Sequence, residues 1–270
     1  MTMNELSALG LTVFAGLSTG VGSLMALMSR KFNPKFLAAS LGFSAGVMIY
    51  VSMIEIFVKA KTALTGWYGL KPGNVVTVAA FFGGIAVIAV IDKLIPSYEN
   101  PHEIHNVAAC GDEKAFCVDE QKLRRIGLFS ALAIAIHNFP EGLATFMSAI
   151  SDPALGVSIA VAIAIHNIPE GIAVSAPLYY ATKSRRTSFW LSFLSGLSEP
   201  VGAIIGYFIL KPYFNDGTFG IIFAMVAGIM VYISLDELLP TAEEYGEHHI
   251  AIGGLIAGMA VMAGSLLLFI

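Results

Sequence analysis

Two twelve-residue segments, AIAIHNFPEGLA at residues 133–144 and AIAIHNIPEGIA at residues 162–173, agree at ten positions and set His, Asn, Pro and Glu into otherwise apolar runs. His137 and Glu141 are four residues apart, as are His166 and Glu170. On a helix each such pair shares one face, about 6 Å apart along the axis. A His2Glu2 set of nitrogen and oxygen donors suits Zn(II), and also Fe(II), Mn(II), Co(II) or Cd(II), while the lack of thiolate argues against Cu(I). Asn138 and Asn167 stand beside the histidines. With Glu199 they could give oxygens to a second site sharing a carboxylate with the first; hydrogen bonding between helices is the other use open to both amides.

The surrounding chain is a membrane chain. Of its 270 residues 56% are hydrophobic and 13% charged, too little polar surface for an ordinary soluble domain. Apolar segments long enough to span a bilayer fall near residues 6–29, 36–59, 73–93, 125–150, 154–178, 187–210, 218–240 and 249–270. The expected fold is therefore an all-α polytopic membrane protein of eight transmembrane helices, one transporter-sized domain over residues 1–270. Its longest connection is a loop over residues 94–124. The first segment lacks a basic leader and a small-residue cleavage site, so it reads as a retained span.

Eleven Lys and Arg, from Arg30 to Arg186, fall on one side of such an arrangement, against Lys59, Lys61, Lys71 and Lys211 on the other. Positive flanks stay in the cytoplasm. This places both termini outside in a cell (inner) membrane and the 94–124 loop inside, with Cys110 and Cys117 there as reduced thiols. The net charge of −4 has no bearing on orientation.

The chain also repeats at long range. GLSTGVG at 16–22 returns as GLSEPVG at 196–202, AGVMIYVSMIE at 45–55 as AGIMVYISLDE at 227–237, and GIAVIA at 84–89 as GMAVMA at 258–263. Spans one to three thus correspond to six to eight with opposite direction, a 3+2+3 inverted repeat around the antiparallel fourth and fifth. Inverted repeats are typical of secondary transporters, with the cargo site near midplane.

Depth can be counted from the turn near Asp152. His137 lies 15 residues before it and His166 14 after, so the two share one level, roughly 21 Å from the turn at 1.5 Å per residue. Glu141 and Glu170 lie one turn away, and Glu199 is central in the sixth span. Three acids at the centre of a bilayer cost on the order of 9 kcal/mol on an insertion scale, comparable with the net stability of a whole domain. No Lys or Arg lies at that depth, which leaves protonation or a bound cation as the remedy. Pro140 and Pro169 release the carbonyls of Ile136 and Ile165 and should kink both helices, and Gly142 and Gly171 allow close helix approach.

The paired HNxPEG motifs, SGLSEP in the sixth span and SLDELLPTA in the seventh resemble the ZIP family of divalent-metal transporters, most closely its bacterial zinc-uptake branch, over essentially the whole chain. The resemblance implies uptake of Zn(II) and related cations into the cytoplasm through a binuclear centre. By motif, His137, Glu141, His166 and Glu170 hold the first metal, and Asn138, Asn167 and Glu199 the second with shared glutamate. Some members carry Gln-Asp where this chain has His166 and Asn167.

The repeat gives Glu55 and Glu237 equivalent places, the first near the outer end of its span and the second near the inner end of its own, with Asp236 beside it. They suit entry and release of the cation; interfacial acids reaching for water are the plainer alternative. Met48 and Met230, also repeat-related, read as packing. His102, His105, Cys110 and Cys117 in the loop, and Glu243, Glu244, Glu247, His248 and His249 after the seventh span, could capture released metal; the first spacing, Hx2H then Cx6C, matches no standard zinc knuckle and reads as solvated loop with incidental ligands. No resident cofactor is expected beyond the transported cation. The expected partners are divalent cations and the lipid bilayer, with a homodimer left open and no nucleic acid. An intramembrane metallohydrolase is a rival, although no HExxH occurs; a metal exporter exchanging protons is another, since site chemistry alone does not set direction.

Overall fold

The computed structural model describes residues 2–28, 34–94, 120–213, 215–245 and 247–267. Among these, regular structure is helical throughout: α1 (Met3–Met28), α2 (Pro34–Tyr50), α3 (Phe57–Tyr68), α4 (Leu70–Leu94), α5 (Glu120–Ser151), α6 (Pro153–Thr182), α7 (Arg185–Gly196), α8 (Ser198–Leu210), α9 (Asp216–Ile233), α10 (Leu239–Tyr245) and α11 (His248–Leu267). π-helical turns at Val51–Ile56 and Ser234–Leu238 join α2 to α3 and α9 to α10 without a break, and Leu197 alone separates α7 from α8. The described residues therefore make eight rods. Seven stretches are long and apolar enough to cross a membrane, and α5, with 32 residues, is the eighth long helix.

Two boundaries differ from the apolar-run reading. The second rod continues past Lys59 and Lys61 to Tyr68. Both lysines are exposed, while Ala60 and Leu64 are buried facing Gly220 of α9, so the charges sit on an outer face and do not end the helix. Gly69, at φ 88, ends it with its N–H on the Thr65 carbonyl, a left-handed conformation that glycine takes without a Cβ penalty. At its other end α5 begins at Glu120, earlier than residue 125, because the polar stretch EQKLRR carries good helix formers that an apolar-run criterion leaves out.

The rods form two groups. α1, α5, α6 and the α7–α8 rod pack together, as do α2–α3, α4, α9–α10 and α11; α2 against α6 and α5 against α9 join the groups. Glycines set the closest crossings. A Cβ on Gly142 would overlap the carbonyl of Glu199, and one on Gly202 the carbonyl of Phe139. On the other side of the same group, a Cβ on Gly171 would overlap the carbonyl of Thr19, and one on Gly22 that of Ile168. The two crossings are one contact written twice, offset by 29 residues on one partner and 180 on the other. The second group repeats the device: Gly46 meets Leu255 and Gly258 meets Phe43, while Gly228 meets Phe81 and Gly84 meets Met225, at offsets of 182 and 174. Small residues at such crossings let backbones approach within van der Waals reach in lipid, where no hydrophobic force draws helices together.

Candidate metal centre

The turn between α5 and α6 fixes the level of the paired motifs. Asp152 is the single residue between the two helices; its carboxylate accepts from the backbone N–H of Ala154 at 3.0 Å and of Leu155 at 3.3 Å, and Pro153 follows at the first helical position. This short antiparallel hairpin sets the two motifs side by side. Both helices run on through Pro140 and Pro169.

The side chains then meet. His166 Nε2 lies 3.3 Å from Glu141 Oε2, across the hairpin, and 3.9 Å from Glu170 Oε1, one turn along its own helix. Ligand atoms around a tetrahedral zinc, at about 2.0–2.1 Å from the metal, sit roughly 3.4 Å from one another, so these separations are of ligand-pair size. The side chain of His137, the fourth candidate, lies outside the described residues. Among the described residues no group of three or more His, Cys, Asp or Glu side chains is assembled as a metal-holding set by itself.

A second constellation adjoins the first. Asn167 Nδ2 donates to the Glu199 carboxylate and also, at 2.9 Å, to the carbonyl of Ala15 on α1. Asn138 Nδ2 donates to the carbonyl of Ser195 on α7 at 3.4 Å. The close approach of Gly142 to Glu199 holds the start of α8 against α5, directly beside Glu141. Asn138, His166, Asn167 and Glu199 are 0% exposed and Glu141 and Glu170 1%, so bulk water is not available to solvate these carboxylates.

The sixth span is one continuous rod with a local turn at Leu197, where α7 passes into α8 beside the site. Pro200 has no N–H to give the carbonyl of Gly196; α7 stops there, and α8 starts at Ser198 with Glu199 in its first turn. A carboxylate at that position faces the positive end of the α8 dipole. The sequence SEP carried the signal.

The family model described as ZIP Zinc transporter matches residues 93–266. The chain is 70% identical to "Zinc transporter ZupT" of Chlorobium chlorochromatii (strain CaD3), 67% to that of Chlorobaculum parvum (strain DSM 263 / NCIMB 8327) and 60% to that of Streptococcus mutans serotype c (strain ATCC 700610 / UA159), each alignment covering 100% of both chains. The chain belongs to the ZIP zinc transporter family. ZIP proteins are transporters and not enzymes, so the metallohydrolase reading falls.

The other candidate residues of this ZIP chain lie on the rods of the second group. Glu55 falls inside the first π-helical turn and Asp236 and Glu237 inside the second. The second rod extends to Tyr68, so Glu55 is thirteen residues short of its end rather than near it. Its Oε1 is 3.9 Å from Lys59 Nζ. Glu237 is half-buried and Asp236 exposed. The two π turns are alike in detail: Ser52 Oγ donates to the Met48 carbonyl at 2.6 Å and Ser234 Oγ to the Met230 carbonyl at 2.7 Å, while the N–H groups of Phe57 and Leu239 donate to the carbonyls of Ser52 and Ser234. Nothing in the sequence had marked these turns, which frequently accompany functional positions. Met48 and Met230 are buried in the apolar core.

Near the start of α11, His248 Nδ1 is 2.7 Å from Glu243 Oε1 and Lys35 Nζ is 2.7 Å from Glu247 Oε1. The Lys35 ammonium, hydrogen-bonded to it, holds the Glu247 carboxyl below its ordinary value. His102, His105, Cys110 and Cys117 lie outside the described residues.

Proposed function

We propose that this ZIP transporter carries divalent cations, zinc foremost, into the cytoplasm through a centre at mid-membrane. His137, Glu141, His166 and Glu170 bind one cation; Asn138, Asn167 and Glu199 bind a second and share glutamate with the first. Fe(II), Mn(II), Co(II) and Cd(II) fit the same nitrogen and oxygen donors and are further cargo. The relatives' printed name, zinc transporter, supports zinc as the main cargo.

The observation that carries the reading is the burial of Glu141, Glu170 and Glu199, with His166 between the first two and no Lys or Arg within residues 126–182 or 187–210. Three carboxylates removed from water need positive charge, and a divalent cation supplies it while being held by the imidazoles. Because the cation is cargo, binding must also be weak enough to release it. Several neutral and shared ligands serve that better than a closed thiolate cage.

The 3+2+3 inverted repeat is the arrangement we propose for the spans, with both termini outside and the connection between α4 and α5 in the cytoplasm. The recurring glycine crossings at offsets of 29, 180, 182 and 174 support the repeat, and the excess of Lys and Arg on one side supports the orientation. Two half-structures of opposite direction give a central site access to each side in turn.

Uptake of radioactive zinc by cells producing Glu141→Ala or Glu170→Ala tests the centre. Loss of uptake with expression retained is expected, since removing a buried acid eases insertion. Normal uptake by either well-expressed variant would refute the assignment. Orientation is tested separately with a membrane-impermeant thiol reagent, which should reach Cys110 and Cys117 only after permeabilisation.

A further inference from the structure

The Asn167–Glu199 pair has a counterpart on the other side of the centre. An offset of 29 relates Asn138 to Asn167, and an offset of 180 relates Ala15 to Ser195 and Thr19 to Glu199. The hydrogen bonds follow the same relation: Asn167 Nδ2 reaches the carbonyl of Ala15 and Asn138 Nδ2 that of Ser195. Only the last member changes chemistry, from the carboxylate of Glu199 to the hydroxyl of Thr19.

Thr19 Oγ1 and Asn138 Oδ1 are both fully buried, and neither has a hydrogen-bond partner among the described residues. Elsewhere in α1 the hydroxyls turn back on the helix, Thr12 to the carbonyl of Ala8 and Ser23 to that of Thr19. For Thr19 the carbonyl four residues back is Ala15's, which already accepts from Asn167 and Ser18. The hydroxyl is thereby left for another ligand. Both oxygens border the same stretch of α7: Asn138 holds the Ser195 carbonyl, and a Cβ on Gly196 would stand 2.7 Å from Thr19 Oγ1. Glu199 is less than one turn further along that rod. Buried oxygens without partners are costly and point to a missing ligand.

Resting on the metal-centre reading above, which already gives Asn138 to the second cation, we propose that Thr19 Oγ1 adds a neutral oxygen beside Asn138 Oδ1 and completes the coordination of oxygen-preferring cations such as Mn(II). Zn(II) is satisfied by four nitrogen and oxygen donors in a tetrahedron, whereas Mn(II) takes six, mostly oxygens. A hydroxyl and an amide oxygen widen the coordination without adding charge. They extend the range of cargo while keeping the ion releasable, whereas a fourth carboxylate, as at Glu199, would hold it more tightly.

The test compares uptake of radioactive manganese and zinc by wild type, Thr19→Val, Thr19→Ala and Thr19→Ser, with Mn(II) binding to each purified protein followed by electron paramagnetic resonance. Thr19→Val keeps the side-chain volume and Thr19→Ala requires no new space. Both should lower kcat/KM for Mn(II) about tenfold, the scale of one lost interaction with a charged group, with Zn(II) changed less than about twofold; Thr19→Ser should restore Mn(II). Unchanged transport of both metals, or equal loss of both that Thr19→Ser does not rescue, would overturn the subsite and leave Thr19 a packing residue. Zinc uptake undiminished by Glu170→Ala would instead overturn the centre, and the subsite with it.

Discussion

Asn167 donates its side-chain amide to the carboxylate of Glu199. The same nitrogen holds the carbonyl of Ala15, so one residue of α6 ties the acid of α8 to the backbone of α1. Nothing in this contact relies on solvent, because both side chains are fully buried. Removing either partner takes away a buried hydrogen bond that water cannot replace, which costs about 1–3 kcal/mol.

A double-variant cycle measures that coupling. Asn167→Ala and Glu199→Ala should each weaken zinc binding to the purified transporter, while the double variant is weaker than the worse single by little. A coupling of about 1–2 kcal/mol in calorimetric titrations is expected for residues in direct contact. Strictly additive losses would show that the amide and the carboxylate act on the metal separately.

The glycine crossings give a stability test. A methyl group at Gly142 or Gly171 must displace the backbone of Glu199 or Thr19, since the overlapping atoms are carbonyls that cannot rotate aside. Gly142→Ala and Gly171→Ala should each destabilise by about 1–3 kcal/mol, a fall in Tm of roughly 3–10 °C for a chain of this size. Gly83→Ala, with open space around it, is the control and should be neutral or slightly stabilising. Equal melting temperatures for all three would mean that the crossings are looser than described.

Much of this was readable in the chain. Long apolar runs gave the helices because a bilayer admits few other solutions for the backbone, and the paired motifs marked the hairpin that Asp152 closes. The repeat GIAVIA/GMAVMA, a weak match by composition, is matched by equivalent contacts of Gly84 and Gly258. The π turns at Val51–Ile56 and Ser234–Leu238 were not readable: each is a local change of hydrogen-bond register, decided by packing and invisible to periodicity. Lys59 and Lys61 misled, since charge ends an apolar run without ending a helix. Thr19 was passed over because a hydroxyl in a membrane helix usually bonds its own backbone, and only the occupied carbonyl of Ala15 reveals otherwise.

Metal preference should divide along the ligand types. Imidazole favours softer ions than carboxylate or amide oxygen does, so a His137→Ala, His166→Ala double variant should lose Zn(II) uptake more than Mn(II). Competition assays with the two metals would show the ratio of kcat/KM values shifting toward manganese. Equal loss of both would remove imidazole as the selective element and leave selectivity to the oxygens.

The two π turns give the last test. Glu55 and Glu237 are repeat-related, lie in π turns with matching serine and backbone hydrogen bonds, and are each half-buried. Glu55 stands thirteen residues from the end of its rod and Glu237 eight from the end of its own, roughly 20 and 12 Å along the axis. If cations pass from Glu55 through the paired motifs to Glu237, the charge of Glu55 concentrates them on the entry side, and Glu55→Gln should raise the apparent KM with a smaller change in maximal rate. Glu237→Gln should slow release and mainly lower the maximal rate, because the ion leaving the centre then lacks its next ligand. Tyr50→Phe and Tyr232→Phe, repeat-related and adjoining the same turns, are the controls for disturbance of the π geometry. Concentration-dependent zinc uptake by the four variants separates the roles; the same kinetic defect in both glutamine variants would mean that the two acids share a structural task in the turns and that the route runs elsewhere.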